Sequence, residues 1–265
     1  MRVGGLLLIA YSGVFTGVTL LSQPKLREKL NQLPYLFKLS GVVLLVSILG
    51  YFGGQIFWPW ARLAPFTNPW IALGIMDSFD IYIKLLFEGQ RIWSDDLPWY
   101  YILKWLVMSS PIYIHLGLLM IPVLLFTANS RMKNINFGLL LFSGIFPLGY
   151  AIIKDSTLYD GMRHFIFVYP ILAILAAWAW SDLIRVLKNI KIAKVVMGGL
   201  LTVLMLLPLK FMIKNHPYQY VYFNELFGGI DNAYSNYETD YWMTSMKGLT
   251  DWFVENVPEA RQGLE

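Results

Sequence analysis

The chain has 265 residues, 57% of them hydrophobic and 16% aromatic, with a net charge of +4 and no cysteine. A mean hydropathy of +0.52 excludes an ordinary soluble composition, and the lack of cysteine excludes disulfides, Cys-ligated zinc and iron–sulfur clusters. The positive charge lies in loops between apolar runs and forms no basic aromatic patch, so nucleic acid is not an expected partner.

Val3 to Ser22, Leu39 to Ala61, Trp105 to Ser130, Ile135 to Ile153 and Phe165 to Ser181 contain no Asp, Glu, Lys or Arg. Val195 to Leu209 is a sixth run, extended to Ile213 if Lys210 snorkels. A bilayer core of about 30 Å needs roughly 20 apolar residues in a helix, and a helix satisfies its own backbone in lipid. The pattern predicts an all-α, polytopic membrane helical bundle of about six transmembrane helices, with spans near 3–22, 39–58, 101–127, 136–153, 165–183 and 195–213. The intervening loops with Lys25, Arg27, Lys29 and Lys38, with Arg131 and Lys133, and with Arg185, Lys188, Lys191 and Lys194 are short and basic. They are expected on the cytoplasmic side, which puts both termini on the outer face. An outward start with so little before it predicts that the chain is the downstream part of something longer.

The first external loop, 59–100, carries Trp60, Trp70, Trp93 and Trp99, with Trp58 just before it; Trp and Tyr favour the membrane interface. Asn68-Pro69 opens a predicted amphipathic helix lying on the outer leaflet, with Trp70, Leu73, Ile81, Leu85 and Leu86 apolar and Asp77, Asp80, Lys84 and Glu88 polar, ended by Gly89. Asp95 and Asp96 can bind a metal, act as a base or meet sugar hydroxyls; alternatively Ser94 or Asp95 caps the helix begun by Pro98. Lys104, one turn into that helix, is either a snorkelling anchor or a cation for a lipid phosphate. His115, within an apolar span, is a packing or hydrogen-bonding side chain before it is a ligand. Arg163 and His164 sit where the fifth span begins. Arginine suits phosphate through bidentate, permanent charge or anchors the helix end, and Asp160 is placed to hold it. The tail, 214–265, is dense in aromatic rings and carboxylates, from His216 through Tyr218, Tyr220 and Glu225 to Trp242. It fits a carbohydrate-stacking surface or an interfacial plug, with a helix over Thr244 to Val254 that starts an outer domain.

Pro98-Trp99-Tyr100-Tyr101 with Pro111, Arg163-His164 leading to Pro170, and His216-Pro-Tyr-Gln-Tyr-Val-Tyr-Phe-Asn224 followed by Tyr237-Glu-Thr-Asp-Tyr-Trp242 together resemble the polyprenyl-phosphate-dependent GT-C glycosyltransferases. The branch resembled is bacterial and similar to the protein O-mannosyltransferases and the lipid A aminoarabinose transferases, over residues from about 80 to 250. The resemblance implies inverting transfer of a sugar from a polyprenyl-phosphate donor to a protein, lipid or glycan acceptor on the outer face of a bacterial inner membrane. It makes Arg163, with His164 and Lys104, the donor-phosphate group. Asp95, Asp96, Tyr218, Tyr220 and Glu225 then face sugar or acceptor. The family's catalytic Asp lies in a first outer loop that nothing here matches, so the resemblance places that acid upstream of Met1 and makes this segment inactive by itself. No cofactor is required by these motifs, and a divalent metal stays open. The rival expectations are a transporter or flippase and a non-catalytic membrane subunit. A transporter usually shows internal repeats and broken spans, and residues 1–130 and 131–265 share no repeat.

Overall fold

A computed structural model describes residues 4–77, 82–127, 134–187 and 189–257. Asp80, Ile81, Arg131, Lys133 and Lys188 lie outside the described residues. The chain divides into two compact units, Met1–Asp80 and Ile81–Glu265.

The first unit is helical: α1 (Gly4–Ser22), α2 (Pro24–Leu30), α3 (Leu33–Gly53), α4 (Pro59–Leu63) and α5 (Asn68–Asp77). α1 covers the first expected span. The basic stretch after it, predicted as a loop, is mostly the short helix α2. α3 starts six residues before the expected Leu39, because Pro34 opens its first turn and one lysine at position 38 does not interrupt a helix. None of its residues is buried. Past α3 the chain is tied locally: the Tyr51 hydroxyl donates to the Pro65 carbonyl at 2.5 Å and Asn68 Nδ2 to the Trp60 carbonyl at 2.7 Å.

The second unit opens with a hairpin, β1 (Lys84–Phe87) and β2 (Gln90–Trp93), paired antiparallel with Lys84 opposite Trp93 and Phe87 opposite Gln90. This corrects the amphipathic helix predicted through Gly89. Among the described residues it ends at Asp77, and Leu85, Leu86 and Glu88 belong to the hairpin. Glu88 and Gly89 have φ of 54° and 75°, the two left-handed positions of a tight hairpin turn, so the glycine read as a helix stop reverses a strand. Leu85 and Phe87 point into the core. Gly89→Ala is expected to lower stability by about 1 kcal/mol through its left-handed conformation, read from the unfolding midpoint in detergent.

Then follow α6 (Tyr101–Ser109), α7 (Ile112–Leu125), α8 (Ile135–Ile153), α9 (Val168–Val186), α10 (Lys191–Lys214), α11 (Gly229–Ala233) and α12 (Met246–Asn256). The third predicted span is not one straight helix: α6 and α7 meet at Ser110-Pro111 with a bend of 118°. Pro111 lacks an N–H and drives the residue before it out of the helical region, and Ser110 is extended at φ −98°, ψ 143°. α3, α8, α9 and α10 are long and apolar enough to cross a membrane, and the α6–α7 pair is a fifth if counted as one span. α9 packs against α7 and α8 through Leu175, Ala176 and Ala179, all essentially buried. Trp180 Nε1 fastens α9 to the Tyr113 carbonyl of α7 at 2.9 Å.

The carbonyls released by the break are not left bare. Asn224, 1% exposed, donates Nδ2 to Val107 O at 2.5 Å and Ser110 O at 3.0 Å, while its backbone N–H meets Met108 O at 2.8 Å. His115 Nε2 lies 2.9 Å and 3.1 Å from the same Val107 and Ser110 oxygens. Since both are acceptors, Nε2 carries the hydrogen. His115 is thus a helix-to-helix hydrogen-bonding residue, and Asn224 pins the tail to the break.

Candidate functional site

Four segments converge on one aromatic cluster. The Phe87 ring stands 4.9 Å from Tyr101 and 5.6 Å from Tyr237, and Trp105 is 5.8 Å from Phe223 and 6.0 Å from Tyr237. An isolated antiparallel bridge joins Phe87 to Tyr237, and Gly89 N–H reaches Asn236 O at 3.0 Å. From the loop between α8 and α9, Leu158 N–H meets Ser94 O at 3.3 Å and Gly161 N–H meets the Tyr101 hydroxyl at 3.2 Å. The hairpin, the start of α6, the 154–165 loop and the tail are therefore held together by ring packing and a few backbone bonds.

Arg163 occupies a cage on this frame. Its Nη1 donates to Asp160 Oδ2 at 2.8 Å, and Trp242 Nε1 donates to the same oxygen at 2.7 Å. The guanidinium carbon lies 5.3 Å from the Tyr159 ring centre, 5.1 Å from Trp242 and 5.9 Å from Tyr241, all within cation–π range. The ion pair takes one of five guanidinium donors and leaves the fork able to meet an anion. Asp160 and Gly161 turn the chain at φ 56° and 60°, and Trp242 and Met243 are left-handed at 52° and 58°. Unusual backbone geometry on both sides of one guanidinium is what a held site shows. His164 stands edge-on to Tyr159 at 4.8 Å between ring centres.

Lys104 joins the same cluster from α6. It forms an ion pair with Glu88 of the hairpin turn and lies 5.6 Å from both the Phe87 and Tyr237 ring centres. The Tyr100 hydroxyl donates to Glu88 Oε2 at 3.2 Å. The Lys104 hydrogen bond holds the Glu88 carboxyl below its ordinary value. Lys104 is thus neither a bare lipid anchor nor an uncommitted cation. Nearby, burial first and Asp160 second push Glu238 up to about 7, against the pull of the Leu86 N–H.

The expected sugar-facing residues separate. Asp95 and Asp96, both exposed, line a shallow hollow of about 310 Å³ with Tyr82 and Trp93, and Lys84 Nζ stands 4.8 Å from the Trp93 ring. Neither Ser94 nor Asp95 caps α6, whose N-cap is Tyr100 with no side-chain capping bond. The Ser94 hydroxyl instead accepts the Ile83 N–H at 3.1 Å, which closes the hairpin base. Glu225 accepts the Tyr222 hydroxyl at 3.2 Å, and Tyr218 packs against Gly248 and stands 6.4 Å from Tyr220. The Tyr220 hydroxyl donates to Asp240 Oδ1 at 2.9 Å and accepts from Thr244. Burial would raise Asp240, but bonds from Ser245, Tyr220, the Tyr241 N–H and Thr244 hold it below its usual value. Tyr220 therefore acts on the cage indirectly, by fixing the turn that presents Tyr241 and Trp242.

Asp160 beside Arg163 was legible from their three-residue spacing. Glu88, Glu238, Tyr241 and Trp242 come from segments far apart in sequence and carry no such signal. Among the described residues, no group of three or more His, Asp or Glu side chains is placed to hold a metal ion. No family model, curated protein or solved structure matches the chain.

Proposed function

We propose that the chain is part of an integral-membrane glycosyltransferase that takes its sugar from a polyprenyl-phosphate donor at the outer face, with Arg163 as the cation for the donor phosphate. The carrying observation is the caged guanidinium, five residues before an α9 long and apolar enough to cross a membrane. An amphiphile with one phosphate on a long apolar chain fits that juxtaposition. An apolar cleft of about 350 Å³ lined by Leu119, Val123, Trp180, Met197 and Leu200, between α7, α9 and α10, offers room for part of the prenyl chain. In glycosyl transfer the leaving phosphate gains charge, and a fixed cation stabilises it. The aromatic cage and Asp160 hold the guanidinium without a rotamer search, and Lys104 with Glu88 fixes the hairpin beside it. These groups bind and orient the donor; they are not offered as the base for the acceptor.

Arg163→Ala is expected to weaken binding of a polyprenyl monophosphate to the purified chain by about tenfold or more, the scale of a lost charge-assisted hydrogen bond. Its unfolding midpoint should fall only by the loss of a part-buried ion pair and its ring contacts, because Asp160 keeps the Trp242 N–H. Wild-type affinity in that variant sinks the reading.

The 118° break between α6 and α7 favours a second reading, a transporter or flippase, because such proteins use broken helices to expose carbonyls to their cargo. At this break Asn224 and His115 occupy the Val107 and Ser110 carbonyls, which weighs against it. Uptake of a labelled lipid-linked sugar into proteoliposomes, with no covalent product, would reverse the order.

A further inference from the structure

Trp242 combines exposure with immobility. The residue is 66% exposed, yet its indole N–H is committed to Asp160 Oδ2 at 2.7 Å and its ring centre lies 5.1 Å from the Arg163 guanidinium carbon. The chain beneath it is left-handed at Trp242 and Met243, a conformation that residues other than glycine rarely take. Asp240 holds that turn, accepting the Tyr220 hydroxyl at 2.9 Å, the Tyr241 N–H at 2.8 Å and the Ser245 hydroxyl at 2.9 Å. A tryptophan that only anchors a chain at an interface turns its N–H toward water and headgroups. Here the N–H faces inward, and the rest of a flat ring is fixed in the open.

The Arg163 and Trp242 bonds to Asp160 both end on Oδ2, and among the described residues Oδ1 accepts none. The Asp160 side chain is partly exposed. An open aromatic face beside a carboxylate oxygen matches a pyranose. The weakly positive ring C–H groups of the sugar sit on the negative face of the π system, and a hydroxyl donates to the carboxylate. We propose that Trp242 is the platform for the donor sugar, which lays one ring face on the indole and gives a hydroxyl to Asp160 Oδ1; this rests on the reading of Arg163 as a phosphate site. Attachment decides for donor over acceptor. The donor sugar is joined to its phosphate through a single oxygen, and the indole lies against the guanidinium that takes that phosphate. An acceptor has no covalent tie to this point. Stacking through C–H groups depends little on the arrangement of hydroxyls, so the platform selects a pyranose as a class and leaves finer choice to other groups.

Calorimetric titration of the full chain in detergent with two lipids tests this: a polyprenyl phosphate esterified to mannose and the same phosphate esterified to methyl. Both are phosphodiesters of equal charge, so their affinity ratio reports the sugar alone. Any loosening of Arg163 in a variant cancels in that ratio. Wild type should bind the mannosyl lipid about tenfold more tightly than the methyl ester, the scale of covering one ring face. Trp242→Ala should bring the two affinities together, and Trp242→Phe, which keeps a ring but not the N–H bond, should fall between. Equal affinities in wild type, or a wild-type ratio in Trp242→Ala, overturn the proposal. Arg163→Ala in the same series reports on the phosphate site by itself: unchanged affinity for the methyl ester there removes the reading beneath, whatever Trp242 does. Should the alanine variant not fold, saturation of the aromatic protons of wild type must pass to the pyranose ring protons of the bound mannosyl lipid; no transfer to them overturns the proposal equally.

Discussion

Asn224→Leu is expected to lower stability by about 3 kcal/mol or more and to release the tail from the helix break. Its side chain is 1% exposed and holds the carbonyl of Val107, whose helical donor would be the missing N–H of Pro111, and that of Ser110, which is extended and outside both helices. Leucine fills a similar volume but donates nothing, so the acceptors keep only the single His115 hydrogen between them. A buried acceptor stripped of its partner costs about 1–3 kcal/mol, and more where apolar surroundings exclude water. The Asn224 Oδ1 also accepts the Phe227 N–H at 3.2 Å, so the first turn after the docking point loosens too. Unfolding in detergent should shift accordingly, and protease should cut between Tyr222 and Trp242 where wild type resists. His115→Ala should cost less, since Asn224 can still reach both oxygens. Equal losses in the two variants would show that the break is not held in this way. Because Tyr237 and Trp242 follow Asn224 in the tail, the leucine variant should also bind the prenyl phosphate weakly.

What the sequence disclosed and what it hid have physical causes. α8 is found at Ile135–Ile153, the bounds of the charge-free run, because its apolar residues carry it through Pro147 and the Asn134 side chain caps it by accepting the Asn136 N–H at 2.8 Å. The hairpin was hidden because Leu85 and Leu86 continue an apolar spacing compatible with a helix, and only the left-handed pair at Glu88 and Gly89 decides for strands. The break at Ser110 was hidden for a related reason: an uninterrupted apolar run says that a segment avoids water, not that it is straight. Arg163 was identified from its place at the head of an apolar run, and Asp160 from spacing. Trp242 reaches Asp160 across 82 residues, and that contact depends on the tail folding back over the 154–165 loop. Asp95 and Asp96 show the converse. As paired acids they attract notice in a sequence, yet they line a hollow with Tyr82 and Trp93, while the carboxyl paired with Arg163 is that of Asp160.

Gly117→Val is expected to disrupt the packing of α7 on α9 and to cost about 3 kcal/mol or more, at or beyond the upper end for overpacking. A Cβ at Gly117 would fall 2.6 Å from Ala176 Cβ, 2.8 Å from its Cα and 3.0 Å from its carbonyl oxygen. Two of those atoms are backbone, so relief requires the helices to move apart and not a change of rotamer. Between apolar helices in lipid, association depends on close van der Waals contact through small residues. Separation would forfeit the contacts of Leu175 and Ala179 and stretch the Trp180–Tyr113 bond. The corresponding site on α8 differs in kind. A Cβ at Gly144 would meet Ile171 Cγ2 at 3.2 Å and the ends of two leucines at 3.8 and 4.0 Å, all side-chain tips that can yield, so Gly144→Ala should cost well under 1 kcal/mol. Gly117→Ala should lie between the two. Adding Ala176→Gly to it removes the nearest of the three contacts but not the backbone pair, so the double variant should recover only part of the loss. Unfolding midpoints of the four proteins in one detergent test the order. A Gly117→Val variant as stable as Gly144→Ala would mean that the two backbones do not approach at Gly117, and the frame that presents Arg163 at the head of α9 would have to be drawn differently.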